Sequence, residues 1–188
     1  PAIHVEPSDE EYLAPDFPNL LAAMPGRYRA AVFVQGSAGL RSSELLGLSI
    51  ETVEGLERGP LGRFVVGPGP YRLRIDRQLH FPYGEDSVPE LVRLKTTASR
   101  ARVAVGRATI EVIAHHLNEW GTGREVNGRT LLWSTTGKHN CLGVFLLHRH
   151  VTNAARKGVG RHLHPHDLRH LYATTAIGSF FLMTFILG

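Results

Sequence analysis

Cysteine is almost absent from this sequence, because Cys141 is the only one among 188 residues. A single thiol excludes an internal disulfide and fits a protein of a reducing compartment. No apolar run approaches about 18 residues, so no segment reads as a membrane-spanning helix. Residues 1–7 lack the basic and apolar regions of a secretory signal. They also lack an initiator methionine, so we expect a fragment or a processed product.

Lysine is scarce among the basic residues. Of 21 basic residues only Lys95, Lys138 and Lys157 are lysines, and the others are arginines. A perturbed lysine can lose its proton whereas arginine effectively cannot, so a lysine here marks a candidate proton donor. A net charge of +4 and a pI of about 9.6 favour a polyanionic partner. A hydrophobic content of 43% is ordinary for a globular domain with a real core.

The spacing of apolar residues predicts a mainly α protein with a small antiparallel three-stranded β-sheet, an α+β fold. Helices are predicted over residues 17–24, 27–36, 107–120, 144–157 and from 166 onwards. Strands are predicted over 71–80, 90–96 and 100–105, with a tight turn at 97–99 between the last two. A short strand is expected at 64–66, inside a loop over 52–70. His115 and His116 are expected at the surface, and Val144 in the core.

The segment from Gly39 to Leu48 predicts a turn followed by a helix. The glycine ends one helix, and Ser42 or Ser43 can cap the next. Arg41 then lies at a helix N-terminus, where backbone N–H groups favour an anion. The alternative is that Arg41 only forms an ion pair with Glu44.

Lys95 is expected near the tip of the last hairpin. Arg93 lies beside it on one face, and Arg100 and Arg102 follow on the next strand. This concentration of positive charge suits a phosphate. A basic edge strand that deters aggregation is the alternative explanation.

The stretch from Pro165 to Thr175 predicts a helix with two contrasting faces. Its apolar stripe comprises Leu168, Leu171, Tyr172 and Thr175. His166, Arg169 and His170 fall on the other side, where an imidazole and a guanidinium three residues apart can reach one small anion. A solvated helix face is one alternative. A metal hydrolase is another, with the ligands His162, His164, His166 and His170.

Taken in order, these three segments resemble the catalytic domain of the tyrosine recombinases, the phage-integrase family. The first is similar to the family's GLR-x-SE box, the hairpin to its lysine loop, and the third to its H-x-L-R-H box. The resemblance implies metal-independent DNA breakage and rejoining without a cofactor. Arg41 and Arg169 would neutralise the phosphate, Lys95 would protonate the leaving 5′ oxygen, and His166 would act as general acid and base.

The same resemblance implies supporting roles, partners and boundaries. Glu44 would orient Arg41 or cap its helix, and His170 would support the site. Further DNA contacts are expected from Arg93, Arg100, Arg102, Lys138 and Arg161. The partner would be double-stranded DNA, with a full-length tetramer on DNA, no membrane, and a cytoplasmic location in a bacterial or phage-infected cell. Residues 1–15 would be a linker from a DNA-binding domain, 16–177 the catalytic domain, and 178–188 an atypical apolar tail.

The sequence departs from the family after the second arginine. The family places another His or Trp some two dozen residues beyond that arginine and its nucleophilic tyrosine about nine residues later again. Only 19 residues follow Arg169, and they contain neither. Tyr172 lies on the packing stripe, so we do not expect it to be the nucleophile. We therefore expect a chain that binds DNA but does not cleave it alone. The alternatives are a non-catalytic DNA-binding module and a nicking-closing enzyme like a type IB topoisomerase.

Overall fold

The computed structural model describes residues 13–82, 88–94 and 101–169. The helices are α1 (Leu13–Ala23), α2 (Gly26–Ala38), α3 (Ser42–Leu46), α4 (Arg107–Trp120) and α5 (Val144–Gly158). A further helix begins at Asp167. Gly39 ends α2 in the left-handed conformation, with φ of 64°, and its N–H donates to the carbonyl of Gln35. The helices agree closely with the predicted ones, except that α1 begins inside the predicted 1–15 linker.

The strands are short and antiparallel. They are β1 (Val53–Glu54), β2 (Leu56–Arg58), β3 (Phe64–Val66), β4 (Arg72–Ile75), β5 (Arg77–His80), β6 (Glu90–Arg93), β7 (Ala101–Ala104), β8 (Glu125–Val126) and β9 (Arg129–Thr130). A three-stranded sheet has the order β1-β4-β7, with Leu73 opposite Val103. β5 pairs with β6, with Leu79 opposite Leu91.

The predicted three-stranded sheet is therefore present but its membership differs. The single strand expected over 71–80 is divided at Asp76, whose carboxylate receives two bonds from Arg129 at 2.6 and 2.9 Å. The first half pairs with β7 and the second half with β6, while β1 supplies the third strand of the sheet. The turn predicted at 97–99 lies outside the described residues.

The predicted 52–70 loop is largely structured. Within it β2 and β3 form a hairpin, with Leu56 opposite Val66. Asn118 on α4 fixes the hairpin by exchanging two 2.8 Å hydrogen bonds with the backbone of Phe64. A side chain 54 positions away thus stabilises strands that their own Gly- and Pro-rich sequence does not favour.

The core surrounds α2, which is buried on almost every side from Ala30 onwards. Its neighbours supply aliphatic side chains that are 0% exposed, including Leu20, Leu21, Ile110, Ile113, Leu147 and Val151. Two predictions about burial are wrong. Val144 is 38% exposed because it lies in the first turn of α5, and His116 is only 2% exposed because α4 turns it toward Trp133, 5.1 Å away.

Burial changes the chemistry of that histidine. Loss of solvent lowers the pKa of His116 to about 4, so it is neutral at physiological pH.

None of the helices in the described ranges is long and apolar enough to cross a membrane.

Candidate functional site

Arg41 is held by a glutamate one helical turn further on. The Glu44 carboxylate accepts from the Arg41 backbone N–H at 3.0 Å through Oε2 and from Nη1 at 2.9 Å through Oε1. Glu44 thus satisfies an unpaired N–H at the start of α3 and orients the guanidinium. The sequence predicted these two contacts as alternatives and the structure contains both. It contradicts the prediction that Ser42 or Ser43 caps the helix, because Arg41 occupies that position.

The ion pair leaves Arg41 open to a ligand. Its side chain is 57% exposed, whereas the Glu44 side chain is 9% exposed. The buried carboxylate therefore fixes one edge of the guanidinium and leaves the other edge accessible. A guanidinium held in this way suits a phosphate oxygen, because its remaining donors keep their fork geometry.

The short helix α3 is held firmly between two neighbours. The buried indole of Trp133 donates from Nε1 to the carbonyl of Leu45 at 2.8 Å. On the other side Gly47 approaches β5 so closely that a Cβ atom there would lie 2.9 Å from Cα of Gln78. Ser43 also donates to Gln78 at 3.4 Å. Arg41 is thereby placed next to the strand pair that leads to the predicted lysine loop.

Part of the predicted basic hairpin lies outside the described residues, including Lys95 and Arg100. Arg93 is exposed at the end of β6, and the next residue, Leu94, is buried. On β7 Arg102 is 63% exposed, with its Nε 3.6 Å from a carboxylate oxygen of Glu54. Arg93 on β6 and Arg102 on β7 thus present charge on two strands that pair with β5 and β4 respectively, and Arg102 is partly neutralised.

The third predicted segment, which begins at Pro165, shows the predicted packing and polar faces in its described part. The Asp167 carboxylate accepts from the His164 N–H at 2.7 Å, and the helix begins at that aspartate. Leu168 is 0% exposed, whereas His166 is exposed and Arg169 is partly exposed. The packing and polar faces are therefore as predicted over residues 166–169. His170 and Tyr172 lie outside the described residues.

Gln35 connects the turn that bears Arg41 to the segment that bears His166 and Arg169. The sequence analysis did not identify this residue. Its amide Nε2 lies 3.0 Å from the Pro165 carbonyl, 3.3 Å from the Leu40 carbonyl and 3.2 Å from the Ser42 hydroxyl. Leu40 and Ser42 flank Arg41, and Pro165 precedes His166. The fold thus brings the turn with Arg41 within one side chain of the segment that bears His166 and Arg169. The sequence signal was a glutamine directly after the apolar run from Ala30 to Val34.

Two other predicted DNA contacts lie in different surroundings. Arg161 donates from Nη2 to Asp16 Oδ2 at 3.1 Å, so it joins the loop after α5 to α1. This ion pair engages part of its guanidinium and gives it a structural role. Lys138 lines a broad groove of about 1020 Å³ that also reaches Ser43 and Gln78 beside α3. Lys138 is thus on a surface continuous with Arg41's helix.

The alternative of a metal hydrolase gains no support. Within residues 13–82, 88–94 and 101–169, no group of three or more His, Cys, Asp or Glu side chains is arranged to hold a metal ion. The rings of His162 and His164 are 4.6 Å apart and His148 lies 5.2 Å from His164. Burial, then the positive charge of these two neighbours, lowers the pKa of His148. Burial raises the pKa of Cys141 to about 11, so its thiol stays protonated near neutral pH.

Solved structures that share this fold include two DNA-bound proteins. The Tn1549 transposon integrase in complex with transposon right end DNA has a TM-score of 0.62 and 15% identity, over 100% of this chain and 58% of that one. The XerH site-specific recombinase bound to a palindromic difH substrate has a TM-score of 0.54 and 20% identity, over 92% of this chain and 41% of that one. This chain spans little more than half of the integrase chain. No protein-family model and no curated protein sequence matches it.

At these identities the likeness shows the fold. The chain has the architecture of these recombinase chains, helices around a small antiparallel sheet, which confirms the predicted fold class.

Proposed function

We propose that this chain is the catalytic region of a tyrosine recombinase that breaks and rejoins double-stranded DNA in recombination or in integration of a mobile element. One observation carries the proposal. In a fold shared with DNA-bound recombinases, Gln35 joins the turn that bears Arg41 to the segment that bears His166 and Arg169. Two arginines and a histidine suit a phosphodiester, whose non-bridging oxygens gain charge during displacement.

The proposed reaction assigns one role to each group. A tyrosine oxygen attacks the phosphorus, and the bond from phosphorus to the 5′ oxygen breaks. This leaves a 3′-phosphotyrosyl intermediate and a free 5′ hydroxyl. Arg41 and Arg169 neutralise the phosphate, Lys95 gives a proton to the leaving oxygen, and His166 takes the proton of the tyrosine. Glu44 holds Arg41 in place, and His170 supports the second arginine.

The nucleophile is proposed to lie outside this sequence. None of the tyrosines in the chain stands at the position that the family uses, so the chain alone binds DNA without cutting it. A nicked duplex that traps covalent adducts tests this statement directly. An adduct on the purified chain would contradict it, and Tyr172→Phe would then show whether Tyr172 is the attacking residue.

The wider assembly follows from the same proposal. Arg93, Arg100, Arg102 and Lys138 supplement the site with contacts to the duplex backbone, which position the DNA without reading its sequence. The full-length protein would act as a tetramer on DNA in the cytoplasm of a bacterial or phage-infected cell. A topoisomerase-like enzyme of the same fold would relax supercoiled DNA without needing a second site.

The proposal is tested by titrating the chain with duplex DNA at two salt concentrations. Arg41→Ala and Arg169→Ala are compared with Arg107→Ala, which removes an equally exposed arginine that pairs with Glu111 on α4. We expect the first two variants to weaken binding about tenfold each and the third about twofold or less. Equal losses in all three would mean that charge alone governs binding, and the recombinase proposal would fail.

A further inference from the structure

Gln35 is placed where an apolar side chain would be expected. It lies on α2 among fully buried aliphatic residues and is 1% exposed. Its Nε2 nevertheless faces three oxygens, from Leu40, Ser42 and Pro165, at 3.0 to 3.3 Å. An amide has two N–H groups, so two of the three acceptors share one of them.

This arrangement costs stability. Oε1 of Gln35 is buried and meets no donor in the described part of the chain. A buried acceptor without a partner loses its hydration and regains nothing, whereas an apolar side chain of equal length avoids that loss. Packing alone therefore does not account for a glutamine here. The N–H contacts do, because they connect the turn of Arg41 to the segment of His166 and Arg169.

We propose that Gln35 is a positioning residue that sets the spacing between Arg41 and Arg169, so that both guanidinium groups reach one phosphate. The bond to Pro165 fixes the segment two residues before the helix that carries Arg169. The bonds to Leu40 and Ser42 fix both sides of Arg41. This inference rests on the proposed function for its consequence, although its geometric part holds without it.

The decisive variant is Gln35→Met, which keeps the length and approximate volume of the side chain and removes all of its hydrogen bonds. We expect its melting temperature to change little, because removal of the unpartnered Oε1 offsets the loss of a donor to the three acceptors. We expect hydrogen exchange at the amides of Asp167 and Arg169 to accelerate about tenfold. The amide of Gly121, at the far end of α4, should not change. Unchanged exchange at 167 and 169, or a general acceleration, would overturn the geometric part.

The matched control is Gln78→Met. Gln78 accepts from Ser43 on α3 and makes no hydrogen bond to Pro165 in the described residues. It should therefore leave exchange at Asp167 and Arg169 as in the wild type. If Gln35→Met does not fold, Gln35→Asn keeps the amide but is one methylene too short to span the three acceptors. It is then judged by the same exchange criteria.

DNA binding tests the consequence. Gln35→Met should weaken duplex binding five- to tenfold or thereabouts, since the site is no longer preorganised. In a background of Arg41→Ala with Arg169→Ala the same change should alter binding less than about twofold. An equal loss in both backgrounds, or no loss in either, would refute the positioning role. If the wild type binds DNA with no dependence on either arginine, the proposed function fails, and the exchange experiment alone still decides the geometric part.

Discussion

The two arginine-bearing parts of the candidate site are held in opposite ways. Arg41 is fixed by Glu44, three residues away, through one backbone and one side-chain contact. The segment of Arg169 is fixed by Gln35 through a contact between residues 130 positions apart. Within the described residues the Arg169 guanidinium has no ion pair. The Arg41 guanidinium is thus oriented within its own helix, whereas the position of the Arg169 segment depends on a contact with a distant part of the fold.

This difference determines how each part responds to damage. A contact between residues i and i+3 forms whenever α3 forms, so it tolerates loosening elsewhere. A contact across 130 positions is present only while the core holds α2 and the chain after α5 together. We therefore expect substitutions in the helical core to disturb Arg169 before they disturb Arg41.

The largest effect is expected from Gly158→Ala at the end of α5. A Cβ atom there would overlap the carbonyl oxygen of Asn19 and lie 2.9 Å from Cβ of Ala23, both on α1. We expect unfolding by urea to show a loss of about 3 kcal/mol, even though alanine is the better helix former. Hydrogen exchange should accelerate more over residues 163–169 than over 39–47.

Gly137→Ala is the control for that variant. Its Cβ would meet only the Thr135 hydroxyl, at an ordinary 3.6 Å, so stability should change by less than about 0.5 kcal/mol. If Gly158→Ala loosens residues 39–47 as much as 163–169, the two parts of the site do not differ in the way described.

The next effect concerns pH and the support beneath α3. His116 is buried beside Trp133, and burial lowers its pKa from 6.5 to about 4. The unfolded chain therefore binds more protons between those values, and stability falls as pH is lowered from 6.5 to 4. The contribution is complete above pH 6.5 and amounts to at most about 3 kcal/mol. Urea unfolding across this range measures it.

Two other histidines titrate in the same direction, because burial also lowers the pKa values of His148 and His150. The test is thus the difference between variants. His116→Leu should flatten the pH dependence, whereas His115→Leu, at an exposed position on the same helix, should leave it as in the wild type. Identical pH profiles for the two variants would show that His116 does not carry the effect.

A smaller effect is expected from Trp133→Phe. The substitution removes the 2.8 Å bond to the Leu45 carbonyl and part of a fully buried ring. A loss of about 1–2 kcal/mol follows, since that carbonyl still accepts from the backbone of Leu48. Trp120→Phe, at a partly exposed indole stacked on Arg27, should cost less. An equal cost would mean that α3 is not held by the indole hydrogen bond.

The features that the sequence could predict are those held by contacts between residues close together in the chain. The helices, the faces of residues 166–169 and the contact of Glu44 with Arg41 depend on neighbouring residues, so their spacing predicts them. The division of the long strand at Asp76 depends on Arg129, and the β2–β3 hairpin depends on Asn118. Each of those partners is more than 50 positions away, so no local sequence pattern predicts the contact.

Gln35 and His116 illustrate the limit most clearly. Each is a polar residue on a helix, and a polar residue is expected to face solvent. Each is instead buried, because other elements of the fold cover the side of the helix on which it lies. Helical periodicity gives the relative orientation of residues on one helix. It does not say how much of the helix surface the rest of the fold will cover.

The smallest change, Glu44→Gln, separates charge from orientation at the locally held arginine. A glutamine can still accept from one of the two Arg41 donors but loses the ionic contact, so stability should fall by only about 1 kcal/mol. The net charge rises by one, which by itself would strengthen DNA binding. We expect binding to weaken a few-fold instead, because the guanidinium is no longer held in place. Glu119→Gln, which adds the same charge on α4, should leave binding equal or slightly stronger. If both variants bind more tightly than the wild type, the Arg41 guanidinium acts through its charge alone, and its fixed orientation contributes nothing to phosphate recognition.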